Sequence, residues 1–413
     1  MDTQIQQTFE QLKQTISVST SPFHTAKEAM RRLNEAGFVT LDWDSTWELV
    51  PGGKYAVCPF GTTVFSFQIG TDLSDTPVWK LSSSHIDNPG FRIKYNPVVS
   101  SKNGCRLNTE VYGGAIYSTW LDRPLSIAGR IALKNPQSAH PRLKLVDFKR
   151  PVAVLPNLAI HLNRAMNDGV ALNAQTDLLP ICGMDEHMDT DTFLQILANE
   201  TGEKPEDILC FDLSVYHYAE PVRTGFSGDM FMAPRIDNIS SVQACLTGLI
   251  EANPSDGISV AVLFDHEEIG SRSKNGANGN LLSYTLERIC NAINISRENF
   301  LQSLVHSYYL SLDVAHAIHP AHPEKSDITS AMPLNRGFAI KASAKHAYCS
   351  DDDMTGVILQ LSVIILPASK IICALTYRAA VPSAQWSPQI FRCAVPISVF
   401  QFMQCTLPWK LRE

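Results

Sequence analysis

The chain has 413 residues, 45% hydrophobic and 18% charged, the make-up of a globular protein long enough for one large domain with an insert, or for two domains. A net charge of −7 and a pI near 5.9 exclude nucleic acid and acidic membranes as main partners. The start, Met1-Asp-Thr-Gln-Ile, has neither the basic nor the apolar region of a secretory signal, and the ten cysteines include no Cys-x-x-Cys pair, so reduced thiols in the cytoplasm are expected.

Along the chain, residues 5–36 carry helical spacing, with Ile5, Phe9, Leu12 and Ile16 on one face and a second run over 25–33. Strand-like runs follow at Tyr55-Ala-Val, Thr63-Val-Phe-Ser-Phe and Trp79-Lys-Leu. The stretch 93–223 is richer in alternating patterns, among them Ala153-Val-Leu and Leu158-Ala-Ile-His-Leu, and holds one helical segment at 191–199. A long helix over 239–252 then feeds the apolar strand that starts at Val260. The pattern predicts an α/β fold, a mixed sheet flanked by helices, built from 1–92 and 224–413 with an inserted β-rich domain over 93–223. The apolar window 357–375 is broken by Pro367 and Lys370 and is not read as a membrane span.

The strand at Val260 ends in Phe264-Asp-His-Glu267-Glu268-Ile-Gly270, two adjacent carboxylates where α/β sheets bind ligands. On an extended backbone these neighbours would point to opposite sides and divide the work of metal ligand and general base. His85-Ile-Asp87 follows Trp79-Lys-Leu-Ser-Ser-Ser, with an acid in reach to fix the imidazole tautomer, although Asp87-Asn-Pro also reads as a turn. Asp237, before the long helix, suits either a bridge between two cations or a helix cap. Asp313 follows the apolar Tyr308-Tyr-Leu. His161 sits inside an apolar run, surroundings more typical of a core histidine than of a ligand. Together these residues offer imidazole and carboxylate ligands with almost no thiolate, the mix of a catalytic zinc site.

Ser84-His-Ile-Asp-Asn-Pro-Gly-Phe91, Tyr112-Gly-Gly-Ala-Ile-Tyr-Ser-Thr-Trp-Leu-Asp-Arg123, Ala159-Ile-His-Leu-Asn-Arg164, Ala233-Pro-Arg-Ile-Asp-Asn238, the Glu267-Glu268 block and Asp313-Val-Ala-His-Ala-Ile-His-Pro320 resemble, in order, the motifs of the M18 zinc aminopeptidases, the aspartyl aminopeptidase group. The resemblance implies two zinc ions, with His85 a ligand, Asp87 its partner, Asp237 a bridge, Glu268 and Asp313 completing the two sides, and Glu267 the general base. It implies that His161 is a zinc ligand or an oxyanion donor to a neighbouring subunit. The implied reaction is the release of N-terminal, often acidic, residues from peptides: hydroxide on the metals attacks the first peptide carbonyl and Glu267 carries the proton to the leaving amine. Lys341 and Arg336 are candidates for contact with an acidic substrate side chain. Homo-oligomers, commonly dodecamers, are implied as well.

After about Leu361 the resemblance stops. The family's closing Gly-Thr-Ile-Gly-Pro-like block, and its later block ending in Met-His-Ser with the last zinc-binding histidine, are missing, and no histidine follows His346. Reading the tail one base out of register forces Ala from Met403-Gln404 and Glu from Trp409-Lys410, and permits His-Ser between them from Cys405-Thr406-Leu407. A frameshift near 361–367 is therefore expected, the alternative being a diverged C-terminus. One zinc site would then be incomplete, and the alternative to an active aminopeptidase is a catalytically dead or crippled remnant of one.

Overall fold

The computed structural model describes residues 3–335, 337–344, 348, 350–365, 371–375 and 396–398. They divide into two compact units, one drawing on residues up to 19, 25–87 and 220 onward, the other on 20–24 and 88–219. The tail expected to be aberrant lies, past Ile365, outside the described residues apart from the strands Ile371–Leu375 and Pro396–Ser398.

In the first unit, nine strands among the described residues form one sheet. Their order is Val39–Thr40, Lys54–Val57, Val64–Ile69, Ile258–Phe264, Trp79–His85, Tyr308–Leu312, Pro396–Ser398, Phe338–Ala342 and Ile371–Leu375. Ile258–Phe264 is apolar almost throughout because both its faces are covered: Val260, Val262 and Phe264 join one core cluster, Ala261 and Leu263 the other. The first cluster takes Leu282, Leu286 and Ile289 from the helix Leu281–Ala292 and Phe300 and Leu304 from Arg297–Val305. The second takes Phe9, Leu12 and Ile16 from Thr3–Val18, and Ile239, Val242 and Leu246 from Ile236–Glu251, all at helical spacing. The expected α/β layering is present.

Trp79–His85 lies between Ile258–Phe264 and Tyr308–Leu312 and runs parallel to both, with His85 opposite Phe264. Three parallel strands therefore end on one edge of the sheet, where loops leave the packed layer. Trp79 anchors the start of the central strand. It is fully buried, its indole N–H donates to Ser303 Oγ at 2.9 Å, and its ring stands edge-on to Phe300 at 5.9 Å.

The second unit is a six-stranded antiparallel sheet in the order Arg142–Asp147, Leu125–Leu133, Ile208–His217, Gly90–Ser101, Gly104–Tyr112 and Ile181–Gly183. Its helix, Thr190–Thr201, is capped by Asp189, which accepts from Thr192 N, and ends at left-handed Gly202. Phe193 and Leu197 from that helix pack with Phe91, Leu107, Ile131 and Phe211 of the sheet. At Gly129 the strands approach so closely that a Cβ would stand 2.1 Å from Asp212 O.

The run Leu158-Ala-Ile-His-Leu, expected as a strand, enters a turn in which Leu162 N donates to Ala159 O at 2.8 Å. Leu158, Ile160 and Leu162 are exposed, and His161 with them, so this histidine is not a core residue. Alternation makes a strand only where a neighbour supplies ladder partners, and none of the described strands pairs with this run. Ala153-Val-Leu reaches only isolated bridges.

Replacing Trp79 with Ala removes the packing at the base of the central strand and is expected to cost about 3–5 kcal/mol in urea unfolding. Ile328→Ala, at a side chain 97% exposed in the same unit, is expected to stay within about 0.5 kcal/mol.

Candidate metal centre and active site

Each of the three parallel strands delivers chemistry at its end. His85 closes the central one, Asp265 to Glu268 follow Ile258–Phe264, and Asp313 follows Tyr308–Leu312. A fourth element brings Asp237: the N-cap position of the helix Ile236–Glu251 belongs to Arg235, and Asp237 Oδ1 faces His85 Nε2 at 3.3 Å. Asn238 ties this helix start to the sheet, donating from Nδ2 to Leu312 O at 3.0 Å.

The two glutamates are not on extended backbone as expected. The strand ends at Phe264, His266 is left-handed (φ 64°), and Glu267–Ile269 forms a 3₁₀ turn closed by Gly270 N donating to Glu267 O at 2.8 Å. Three residues per turn separate adjacent side chains by about 120° rather than 180°. Both carboxylates therefore remain near His85, and the group His85, Glu267 and Glu268 has ligand atoms within 4.8 Å of one another. A second group, His85, Asp237 and Asp313, meets the same limit.

Asp87 organises the arrangement from beneath. Its side chain is fully buried, accepts from Glu267 N through Oδ1 and from Glu268 N through Oδ2, each at 3.1 Å, and sits 3.3 Å from His85 Nδ1. His85 Nδ1 also lies 3.0 Å from Asp87 O. With Nδ1 held by an acid and a carbonyl, Nε2 is the atom turned to the cleft. It stands 3.3 Å from Asp237, 3.7 Å from Asp313 and 3.9 Å from Glu267. Ligands on one tetrahedral zinc, with bonds of about 2.0–2.2 Å, stand about 3.3–3.6 Å apart; Asp237 meets that spacing, Asp313 lies just beyond it, and the imidazole and carboxylate donors suit zinc.

Crowding leaves its mark on the protons. Burial pulls the His85 imidazolium down, but bonds to Asp237, Asp313 and Asp87 outweigh it and hold its pKa well above the usual histidine value. Burial pushes Glu268 up to about 8, against the pull of His85, with Asp237, Asp87 and Glu267 adding to the rise. Glu267 is raised in the same direction, chiefly by burial. Asp313 moves the opposite way: burial opposes, but the Lys341 ammonium holds its carboxyl well below the ordinary range. Lys341 Nζ donates to Asp313 Oδ2 and to Val314 O, both at 2.8 Å.

His85, Asp87, Asp237, Glu267, Glu268 and Asp313 are thus brought together in the first unit, with Lys341 bonded to Asp313. His161 lies in the second unit, and Arg336 is outside the described residues. Two further supports lie next to the glutamates, within the Phe264–Gly270 block. Asp265 is almost fully buried, its carboxyl pushed up to about 6 by burial and by Asp87, and it accepts from His266 N at 2.8 Å. His266 Nδ1 meets Ser273 Oγ at 2.6 Å, closing the turn. Their signal was adjacency alone, because Asp265-His266 directly precedes Glu267.

A family profile for the aminopeptidase I zinc metalloproteases (M18) matches residues 15–366. A Clostridium acetobutylicum protein described as a probable M18 family aminopeptidase 2 is 41% identical over 342 residues, covering 82% of this chain and 79% of that one. The Pseudomonas savastanoi protein of the same description is 35% identical over 345 residues, covering 83% and 79%. In fold, the chain is similar to the Ape4 and Nbr1 complex solved by cryo-EM (TM-score 0.91, 24% identity, 98% of this chain and 83% of that one). It is also similar to the M18 aminopeptidase of Thermotoga maritima (TM-score 0.83, 20% identity, 96% and 90%). A zinc-fitting cleft at the ends of parallel strands, within a match spanning most of the sequence, makes this chain a member of the M18 family of zinc aminopeptidases.

Proposed function

We propose that this metalloaminopeptidase releases single N-terminal residues, acidic ones foremost, from peptides in the cytoplasm, with Glu267 as general base. The observation that carries the reading is the convergence of His85, Asp237, Glu267, Glu268 and Asp313 on one cleft, two ligand groups sharing a single imidazole. His85, Asp237, Glu268 and Asp313 would hold two zinc ions, with Asp237 serving both and Glu268 and Asp313 each serving one. Bound zinc supplies a Lewis acid for the scissile carbonyl and lowers the pKa of water.

The remaining work belongs to the side chains. Glu267, whose pKa burial raises, takes the proton of the attacking water and hands it to the leaving amine. Asp87 keeps His85 Nε2 and the Glu267-Glu268 turn aimed at the cleft. Lys341, whose ammonium is paired with Asp313 Oδ2 at 2.8 Å, is assigned as the contact for an acidic substrate side chain. Exposed His161 is assigned either as a zinc ligand or as an oxyanion donor to the site of a neighbouring subunit. A homo-oligomer suits that second role, and a solved S. cerevisiae relative is a dodecamer. No helix among the described residues is long and apolar enough to cross a membrane.

A crippled remnant is the competing reading. What favours it is that the family match ends at residue 366 of 413.

Glu267→Gln is expected to lower kcat on an aspartyl anilide by about 10²–10⁴-fold while zinc content, read by elemental analysis, stays unchanged. Near-normal turnover with full zinc would remove Glu267 from the role of base. Wild-type protein that binds zinc and shows no turnover would favour the remnant. Genomic sequence across codons 355–413 is expected to spell a His-Ser-x-x-Glu block in the shifted frame; absence of those codons would make the tail genuine.

The proton inventory gives a further expectation. Between the ordinary carboxylate range and about pH 8, unfolded Glu268 has lost its proton and folded Glu268 keeps it, so the metal-free fold loses stability as pH rises. His85 acts in the same direction: its raised pKa stabilises the fold fully below the usual histidine value, and that contribution is lost as pH climbs through the folded value. To hold zinc, Glu268 and His85 would each have to give up its proton. The gain in Tm on adding zinc is therefore expected to be larger at about pH 8 than at about pH 6. A gain independent of pH would show that neither group gives up a proton to the metal.

A further inference from the structure

Two thiols 77 residues apart in sequence meet in the second unit: Cys105 Sγ and Cys182 Sγ lie 3.5 Å from one another. A bulge brings them together. Cys105 pairs with Gly183 and Arg106 with Ile181, which leaves Cys182 as the extra residue of the Ile181–Gly183 strand. In a regular ladder residues 182 and 183 would face opposite sides of the sheet. Here both face Cys105, since a Cβ on Gly183 would stand 3.1 Å from Cys105 Sγ. Glycine at 183 therefore leaves the space in which the two sulfurs meet, and Cys182 Sγ lies 3.6 Å from Cys105 O as well.

We propose that Cys105 and Cys182 are an oxidisable pair that closes to a disulfide, with a low-molecular-weight disulfide such as glutathione disulfide as the oxidant. Bond formation at about 2.0 Å requires the sulfurs to approach by about 1.5 Å, within reach of side-chain rotation on a short, bulged strand at the sheet edge. Cys182, half-buried, reacts first, and Cys105, fully buried, resolves. The Cys182 thiol gives its proton to solvent and the thiolate attacks one sulfur of glutathione disulfide. That S–S bond breaks, and one glutathione leaves as thiolate and takes up a proton. Cys105, deprotonated in turn, attacks the Cys182 sulfur, breaks the mixed disulfide and releases the second glutathione. Two protein thiols are oxidised and one glutathione disulfide is reduced to two thiols. Burial, with Cys105 alongside, pushes the Cys182 thiol up to about 12, so closure is slow at neutral pH and quickens about tenfold per pH unit. The product staples the edge strand, and with it the end of the preceding 156–180 segment, to Gly104–Tyr112.

The test is thiol mapping on the full-length native protein. The protein is incubated with glutathione disulfide at about pH 8 and about pH 9, free thiols are trapped by alkylation under denaturing conditions, and the chain is digested without reduction. The expected product is a Cys105–Cys182 cross-linked peptide, forming about tenfold faster at the higher pH, with buried Cys245 and Cys290 recovered alkylated. In denaturant the cross-link should lose its preference over other pairings. In Cys105→Ser, Cys182 should stop at the glutathione adduct. Recovery of both cysteines as free thiols, a glutathione adduct on wild-type Cys182 without closure, or equal yield in denaturant would each overturn the proposal.

Discussion

A carboxylate with no exposed surface is expensive unless its oxygens are satisfied, and Asp87 draws partners from both of the structures it joins. One of its oxygens takes the amide of Glu267, the other the amide of Glu268, and the imidazole of His85 lies against it. The end of the central strand and the turn after its neighbour are thus held to one another by a single charge. Orientation of the imidazole and placement of both glutamates follow from it, so the cleft geometry is a property of the sheet edge rather than of three independent loops.

Around that charge the acids sort into two classes. Asp313 is neutralised by the protein itself, through Lys341, and stays ionised. Glu268, pushed up to about 8 by burial, carries a proton that a divalent ion can replace, and burial raises Glu267 in the same direction against the pull of His85, 3.9 Å away. The same cluster therefore holds one carboxylate kept ionised by the protein's own cation and others whose protons compete with a metal. Opposite shifts in neighbouring carboxyls are of the kind that cluster at functional sites.

Much of this was legible in the sequence because acids at the ends of apolar runs are rare in a packed core and their positions are set locally. His85, Asp87, Glu267, Glu268 and Asp313 are weak signals singly and gain force only from their company and from the ordered family motifs, whereas Phe9, Leu12 and Ile16 declare their helix by spacing. What sequence could not supply was pairing. Nothing in Trp79-Lys-Leu says that its strand lies between Ile258–Phe264 and Tyr308–Leu312, yet this placement alone joins the acids. The left-handed His266 turned an expected extension into a 3₁₀ turn, and the Lys341–Asp313 bond spans 28 residues that no local pattern connects. Leu158 to Leu162 failed for the same reason in reverse: the pattern of a strand was there, but no strand was beside it.

The position of residues 88–219 in the chain has a kinetic consequence. The long segment of the second unit begins at Asn88, the residue after Asp87, while the amides that Asp87 must meet lie 180 and 181 residues along the chain. Loop-closure entropy grows only with the logarithm of length, but the contact cannot form until the strand Ile258–Phe264 has been made. The intervening segment has a core of its own, from Phe91 to Val215, and domains of that kind fold as units during synthesis. Assembly of the cleft is therefore a late event, and the half-made chain carries His85 and Asp87 without the turn that completes them.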